Sequence, residues 1–156
     1  MLLRRLDQAW GVFRESYAGL SEAELLTPGV IGLWSIKDII AHVTTWEEEA
    51  LKHLPFILQG GKPPKYSVQY GGIDAFNAQT SERKGSLSLT EVRCLQESVH
   101  QQLICLIEGV SEEHLGSGSK FAHRLRLDTY GHYRRHTAAI QRWRNRIAND
   151  ELRKAD

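Results

Sequence analysis

Three of the seven histidines in this 156-residue chain stand where helical spacing gives them chemistry. His132 and His136 lie in G-H-Y-R-R-H, inside one strongly helical stretch. His42 lies in W-S-I-K-D-I-I-A-H, inside another, far away in sequence. A four-residue step turns an α-helix by about 40° and climbs about 6 Å, so His132 and His136 project the same way from adjacent turns. Neutral imidazole is the commonest metal ligand among side chains. Two imidazoles from one helix and a third from another make a three-nitrogen site with coordination positions left open. That is the arrangement of a catalytic metal rather than a structural one. An ion so held lowers the pKa of a bound water or thiol and yields a nucleophile near neutral pH.

The surrounding pattern sets the competing readings. On the last helix the apolar stripe of Ala139, Ile140, Trp143 and Ile147 extends backwards through His136 and His132, with Tyr133 beside them. Imidazoles there occupy an inward face, and burying two of them without partners costs roughly a few kcal/mol. A metal between facing helices of a bundle satisfies both at once. His42 lies on a flank of its own helix, in line with Asp38, Trp46, Glu49 and His53, and that flank is free to face a neighbouring helix. The alternative is two core histidines bonded to backbone or water and one boundary histidine. Asp38 has two readings, a partner that orients a ligating ring or a stabiliser of the helix start. Trp46 and Tyr133 are candidate pocket walls, and Tyr133 is a candidate proton donor. Glu47, Glu48 and Glu49 read as a solvated run, from which Glu49 is the candidate general base. His100 reads as a boundary residue, and His53 as out of reach of an ion on His42.

The elements that must position these residues are helices. Helical periodicity is found throughout and strand alternation is nearly absent. Leu2, Leu6, Trp10 and Phe13 mark a first helix ending near Gly19, and Ser21 with Glu24 forms a capping box for a short turn. Residues 27–33 hold Pro28, Gly29 and Gly32 and read as loop. Ser35 caps a second long helix that runs to about Gln59, with Pro55 expected to kink or end it. Residues 60–72 form the longest irregular segment, and a short helix covers 73–84. Ser88 with Glu91 opens a third long helix to Gly109, a turn follows at 112–115, and 116–119 is loop. Asp128 is expected to cap a last long helix to about Ala148, with 150–156 fraying. The fold class is therefore all-α, a four-helix bundle with short extra helices in the connections, spanning residues 1–156 as one domain.

Bulk composition narrows the function classes. The net charge of +1 gives no overall field for nucleic acid, and the arginines crowding the last third read as a solvated helix face. No stretch approaches the roughly 18 uninterrupted apolar residues of a membrane helix, and the N-terminus lacks the pattern of a signal peptide. Nucleic acid and membrane are thus excluded as expected partners, and a cytoplasmic location is expected. Cys94 and Cys105 fall in one helix about 16 Å apart, too far for a disulfide, and are expected to be reduced and structural. No G-x-S-x-G, P-loop or dinucleotide fingerprint is present.

The segment from Trp34 to His42, W-S-I-K-D-I-I-A-H, followed by V-T-T-W-E ending at Glu47, resembles the second-helix signature of the DinB/YfiT-like superfamily. T-Y-G-H-Y-R-R-H, from Thr129 to His136, resembles the start of that family's last bundle helix. The combination is most similar to the ClbS/DfsB-like branch, and the resemblance covers essentially the whole chain. It implies a four-helix bundle, often a homodimer, with a divalent ion, zinc or nickel, on His42, His132 and His136. Trp10, Phe13 and Leu51, apolar beyond one stripe, are candidates for the dimer surface. Family members include transferases and isomerases that use low-molecular-weight thiols, and the ClbS-like branch includes a protein that opens the electrophilic cyclopropane of a genotoxin. The expected function is attack by activated water or thiol on a reactive small-molecule substrate. The alternatives are a non-catalytic bundle that sequesters such a molecule, and a structural bundle without a metal.

Overall fold

The computed structural model describes residues 2–155. Four long helices form the bundle: α1 (Leu2–Glu15), α3 (Ile36–Leu58), α6 (Leu89–Glu108) and α9 (Tyr130–Ala155). Short helices fill the connections: α2 (Glu22–Leu26), α4 (Tyr66–Gln69), α5 (Ile73–Gly85), α7 (Glu112–Leu115) and α8 (Lys120–Asp128). Local chemistry starts three of these helices in the same way. Ser21, Ser35 and Ser88 each accept from the backbone three residues on, while Glu24, Asp38 and Glu91 reach back to the cap backbone. Each box satisfies helix-end donors that have no partner within the helix.

The centre of the molecule is α3, which packs against α6, α8, α5 and α9, while α1 packs along α9. Leu6, Phe13, Ile36, Ile39, Ile40, Val43, Leu54, Leu103, Ile107 and Ile140 are fully buried and make the apolar floor. Trp10 and Phe13 belong to this core, so they are not surface available to a second copy, and Leu51 packs partly buried against it. Their spacing continues the inward stripe of α1 through Leu2, Leu6 and Tyr17 rather than forming a second face.

Four stretches differ from the sequence expectation. Residues 66–69, within the segment read as irregular, form the single turn α4, closed by the Tyr70 and Gly72 amides on Tyr66 O. Residues 120–128, which carry no clear helical signal in the sequence, form α8, because Ser119 caps it by accepting from Ala122 N and Phe121, Ala122 and Leu125 give it one buried face. Asp128 therefore ends α8 rather than capping the last helix, and its carboxylate accepts from Arg124 Nε at 2.5 Å. At its far end α9 continues to Ala155, past the expected end near Ala148. Pro55 lies within the last turn of α3, which continues three residues beyond it to Leu58. Both cysteines are free and exposed, so neither contributes to the core. No described helix is long and apolar enough to cross a membrane.

The corner between α8 and α9 positions the histidines. Thr129 has left the helical region, at φ −126° and ψ −107°, and its hydroxyl accompanies its amide onto Leu125 O. Gly131 follows immediately, and a Cβ there would lie 2.7 Å from the Arg126 carbonyl oxygen. Only glycine lets the first turn of α9 fold back so closely on α8, and His132 is the next residue.

Candidate functional site

His42 on α3 meets His132 and His136 on α9. The Nε2 atoms of His42 and His132 are 3.1 Å apart, and those of His132 and His136 are 2.9 Å apart. One ring nitrogen of each residue lies within 4.8 Å of the other two. The rings meet edge to face, at interplanar angles of 68–84°. His42 and His136 are buried and His132 is nearly so. Burial holds all three far below the ordinary imidazole value, to about 3 for His42, about 2 for His132 and about 4 for His136. Repulsion from neighbouring rings adds to the drop for His42 and His132, and Arg135 adds to it for His136. The rings are therefore neutral at pH 7, the form in which imidazole ligates.

The donor chemistry of this cluster is incomplete. Each neutral imidazole nitrogen carries either one proton or one lone pair. His132 Nε2 faces two other Nε2 atoms; one lone pair cannot satisfy both contacts, and one proton does so only as a weaker, shared bond. A cation accepts all three lone pairs. Three nitrogens at about 2.05 Å from a tetrahedral ion stand about 3.3 Å apart, close to the two spacings observed. The three residues thus fit a divalent ion. Among the described residues, the Nδ1 atoms of all three rings are buried without a hydrogen-bond partner, so none of those residues supplies the orienting acceptor that commonly accompanies a ligating histidine.

Beside His42 opens a cleft of about 290 Å³ between α3 and α5, lined by Trp34, Asp38, Thr45, Thr80 and Lys84. The Trp34 ring lies 4.8 Å from the His42 ring. Lys84 is buried there and donates to Glu48 at 2.8 Å, which ties α5 to α3. On the other side Trp46 stands 5.8 Å from His132 and donates from Nε1 to Asn77. Tyr66, Tyr70 and Phe76 pack with Trp46 into an aromatic cover contributed by the α4–α5 connection.

The remaining sequence candidates stand apart from the ring cluster. Asp38 completes the Ser35 capping box with one oxygen and also lines the His42 cleft. Glu49 accepts from Tyr66 Oη at 2.5 Å and lies 3.0 Å from His53 Nε2. Burial raises the Glu49 pKa, but Tyr66, Lys52 and His53 outweigh it and leave the carboxyl below its usual value. Tyr133 is fully buried and donates its hydroxyl to Glu47, with its ring stacked near Phe13.

Glu47 and Glu49 are buried, which corrects the reading of residues 47–49 as a solvated run. The reason is the position of α3, which has neighbours on nearly every side and so has little solvent face to expose. Glu47 is fully buried and accepts from His100 Nδ1 at 2.8 Å as well as from Tyr133. His100, expected at a boundary, is buried and stacked flat on Trp10 at 3.8 Å and 5°. Periodicity gives no hint of this second cluster. The one sequence signal was that the family-like T-T-W-E segment ends at Glu47.

A helical bundle whose second and last long helices bring three histidines together defines a class of protein. The sequence signature of the DinB superfamily matches residues 5–139, and the chain belongs to that superfamily. No curated protein matches it in sequence. Among solved structures it is similar to DfsB, the sibling lethal factor precursor, at 19% identity and a TM-score of 0.76 over 94% of both chains. An uncharacterised protein from Escherichia coli UTI89 matches at 12% identity and a TM-score of 0.78, over 94% of this chain and 92% of that one. The colibactin self-resistance protein ClbS, crystallised in complex with double-stranded DNA, matches at 14% identity and a TM-score of 0.72, over 90% and 91%. These likenesses establish the shared fold, in agreement with the ClbS/DfsB-like motifs.

The ClbS complex also corrects the exclusion of nucleic acid as a partner: a protein of this fold is crystallised with duplex DNA. Net charge sums over a whole surface, whereas a duplex needs only a local basic patch. Here the exposed Arg5, Arg126 and Arg134 border a groove of about 610 Å³ between α1 and α9, with Tyr130 and Thr137 on its walls.

Proposed function

We propose that this chain is a metal-dependent enzyme of the DinB superfamily acting on a reactive small electrophile. His42, His132 and His136 hold a divalent ion, zinc or nickel. The observation that carries the reading is His132 Nε2 facing two further Nε2 atoms in a buried site, a set that neutral rings satisfy only by sharing one N–H between two acceptors. A bound ion supplies Lewis acidity that converts water or a thiol into a nucleophile at neutral pH. The chain's own residues do the rest. The cleft beside His42 admits a compact molecule, Trp34 offers it an aromatic wall, and the Lys84 ammonium offers a positive charge to a carbonyl or carboxylate oxygen. Asp38, one turn before His42 on α3, and Glu82 on α5 both line the same cleft and are the carboxyl groups within it.

Elemental analysis of tag-free protein purified without added metal tests the first half, with about one divalent ion per chain expected. Turnover of an electrophile panel, with and without a low-molecular-weight thiol and a chelator, tests the second. Activity indifferent to chelation would exclude metal catalysis. Tight ligand binding without turnover would favour the sequestering bundle instead.

A second reading rests on a separate observation, the arginine-lined groove between α1 and α9. Arg5, Arg126 and Arg134 bring positive charge to one groove, and a protein of the same fold is crystallised with duplex DNA. Fluorescence anisotropy with a labelled duplex should give binding that weakens steeply with salt. Reversing Arg126 and Arg134 to glutamate should abolish it. Equal binding by the reversed variant would remove this reading.

A further inference from the structure

Each of the four long helices sends one side chain into a single buried cluster. Glu47 comes from α3, His100 from α6, Tyr133 from α9 and Trp10 from α1. Glu47 Oε1 takes the hydrogen bonds of both His100 and Tyr133, and Trp10 lies flat against His100. Tyr133 is the residue after His132, and Glu47 stands five residues beyond His42 on the facing helix. On α9 Tyr133 stands between His132 and His136 in height but about 100° round from His132, so the cluster lies beside the three histidines on the same two helices.

We infer that Glu47 and Tyr133 are positioning residues for the histidine cluster: their hydrogen bond fixes the rotation of α9 about its own axis, and with it the aim of His132 and His136 at His42. The inference rests on the proposed metal centre for its first readout only.

The bonding of α9 supports it. Among the described residues, the C-terminal half of α9 is tied to other elements by Arg144 on Ser16 O and Ala18 O and by Arg146 on Gly29 O. In the N-terminal half, the directional side-chain bonds to other elements are His132 to His42 and Tyr133 to Glu47. The other contacts there include apolar packing, such as Tyr133 against Phe13 and Trp10. Apolar packing holds a helix at a distance but resists rotation weakly. A side-chain tip stands about 6 Å from the helix axis, so a 10° rotation moves it by about 1 Å. A metal site tolerates about 0.2 Å. The first turn of α9 therefore needs an angular stop, and among the described residues the Glu47–Tyr133 bond is the one that lies outside the ring cluster itself.

The test uses the full chain and Co(II) as the probe, read by its visible absorption, with circular dichroism and Tm recorded in parallel. Tyr133→Phe keeps the ring and its stacking and removes the bond. It should remain folded, bind Co(II) ten- to a hundred-fold more weakly, as loss of an orienting contact does, and shift the ligand-field bands. Glu47→Gln retains an acceptor for Tyr133 and should restore affinity to within a few-fold of the parent, whereas Glu47→Leu should not. A lowered Tm in Tyr133→Phe with unchanged Co(II) affinity and spectrum would overturn the inference and leave the cluster a core contact alone. If the parent protein binds no Co(II), the metal reading fails separately. The aim of the rings is then read from histidine side-chain NMR of the metal-free protein. Altered ring signals of His132 and His136 in Tyr133→Phe would uphold the angular stop, and identical spectra would overturn it.

Discussion

Two buried polar clusters lie side by side on α3 and α9, and they solve the same physical problem in opposite ways. The Glu47 cluster mixes types: a carboxylate that only accepts, a phenol that donates, and an imidazole whose Nδ1 is committed to the carboxylate. Burial raises the Glu47 pKa, and the bonds from His100 and Tyr133 pull against that rise. The histidine cluster is made of one type repeated three times, so its members compete for the same proton. Buried polar groups normally find partners. In the Glu47 cluster two donors converge on Oε1 while Oε2 is buried without a partner among the described residues, whereas the histidine cluster leaves three Nδ1 atoms so and sets its Nε2 atoms against one another. Complementarity within a cluster, rather than burial, separates a structural polar core from a binding site here.

The sharpest way to break this contrast is to remove one member from each cluster. His132→Ala should abolish stoichiometric metal binding and any metal-dependent turnover while the helices survive, since two nitrogens on different helices hold a divalent ion poorly. Equilibrium dialysis and circular dichroism on one sample read both outcomes. Glu47→Ala should do the reverse. It strands a buried phenol and a buried imidazole and should cost about 3–5 kcal/mol of stability, seen as a lower urea midpoint. If His132→Ala proves the more destabilising of the two, the histidines are ordinary core residues and the contrast is wrong.

A smaller effect should come from the corner that sets the register of His132. Gly131→Ala places a methyl against the Arg126 carbonyl and should cost about 1–3 kcal/mol, the range for overpacking a tight site. Metal affinity should fall with it, because the carbonyl can move only by shifting the first turn of α9. A substitution without effect on either quantity would mean that the corner relaxes independently of the site.

The last expectation concerns protons. Free histidine titrates near 6.5, while the folded rings are held at about 2–4. Below pH 6.5 the unfolded chain binds protons that the folded chain does not, so the stability of metal-free protein should fall as pH drops from about 6.5 towards 4. Each ring contributes a slope on the order of 1 kcal/mol per pH unit. Denaturant titrations of the parent and of His136→Ala across that window measure it. Equal slopes in the two proteins would mean that His136 is not held neutral by the fold.

Sequence alone determined the four long helices, the capping boxes and the pairing of His132 with His136, because each depends on residues within about one turn of one another. It carried the all-α bundle for the same reason: four apolar stripes at helical spacing have few ways to be buried together. The convergence of His42 with that pair was open from periodicity, since a flank residue on α3 has no local signal of which helix it will face. Only the tertiary structure decided that α3 lies at the centre of the molecule. From that single fact follow the burial of Glu47 and Glu49, the recruitment of His100 and Trp10 to a common cluster, and the commitment of the Tyr133 hydroxyl to Glu47. The corner at Thr129 and Gly131 was likewise decided by packing, as α8 earns its place from Phe121, Ala122 and Leu125 against α3. Spacing along one helix is a local property of the chain, whereas which buried group receives a partner depends on how helices distant in sequence are rotated against each other.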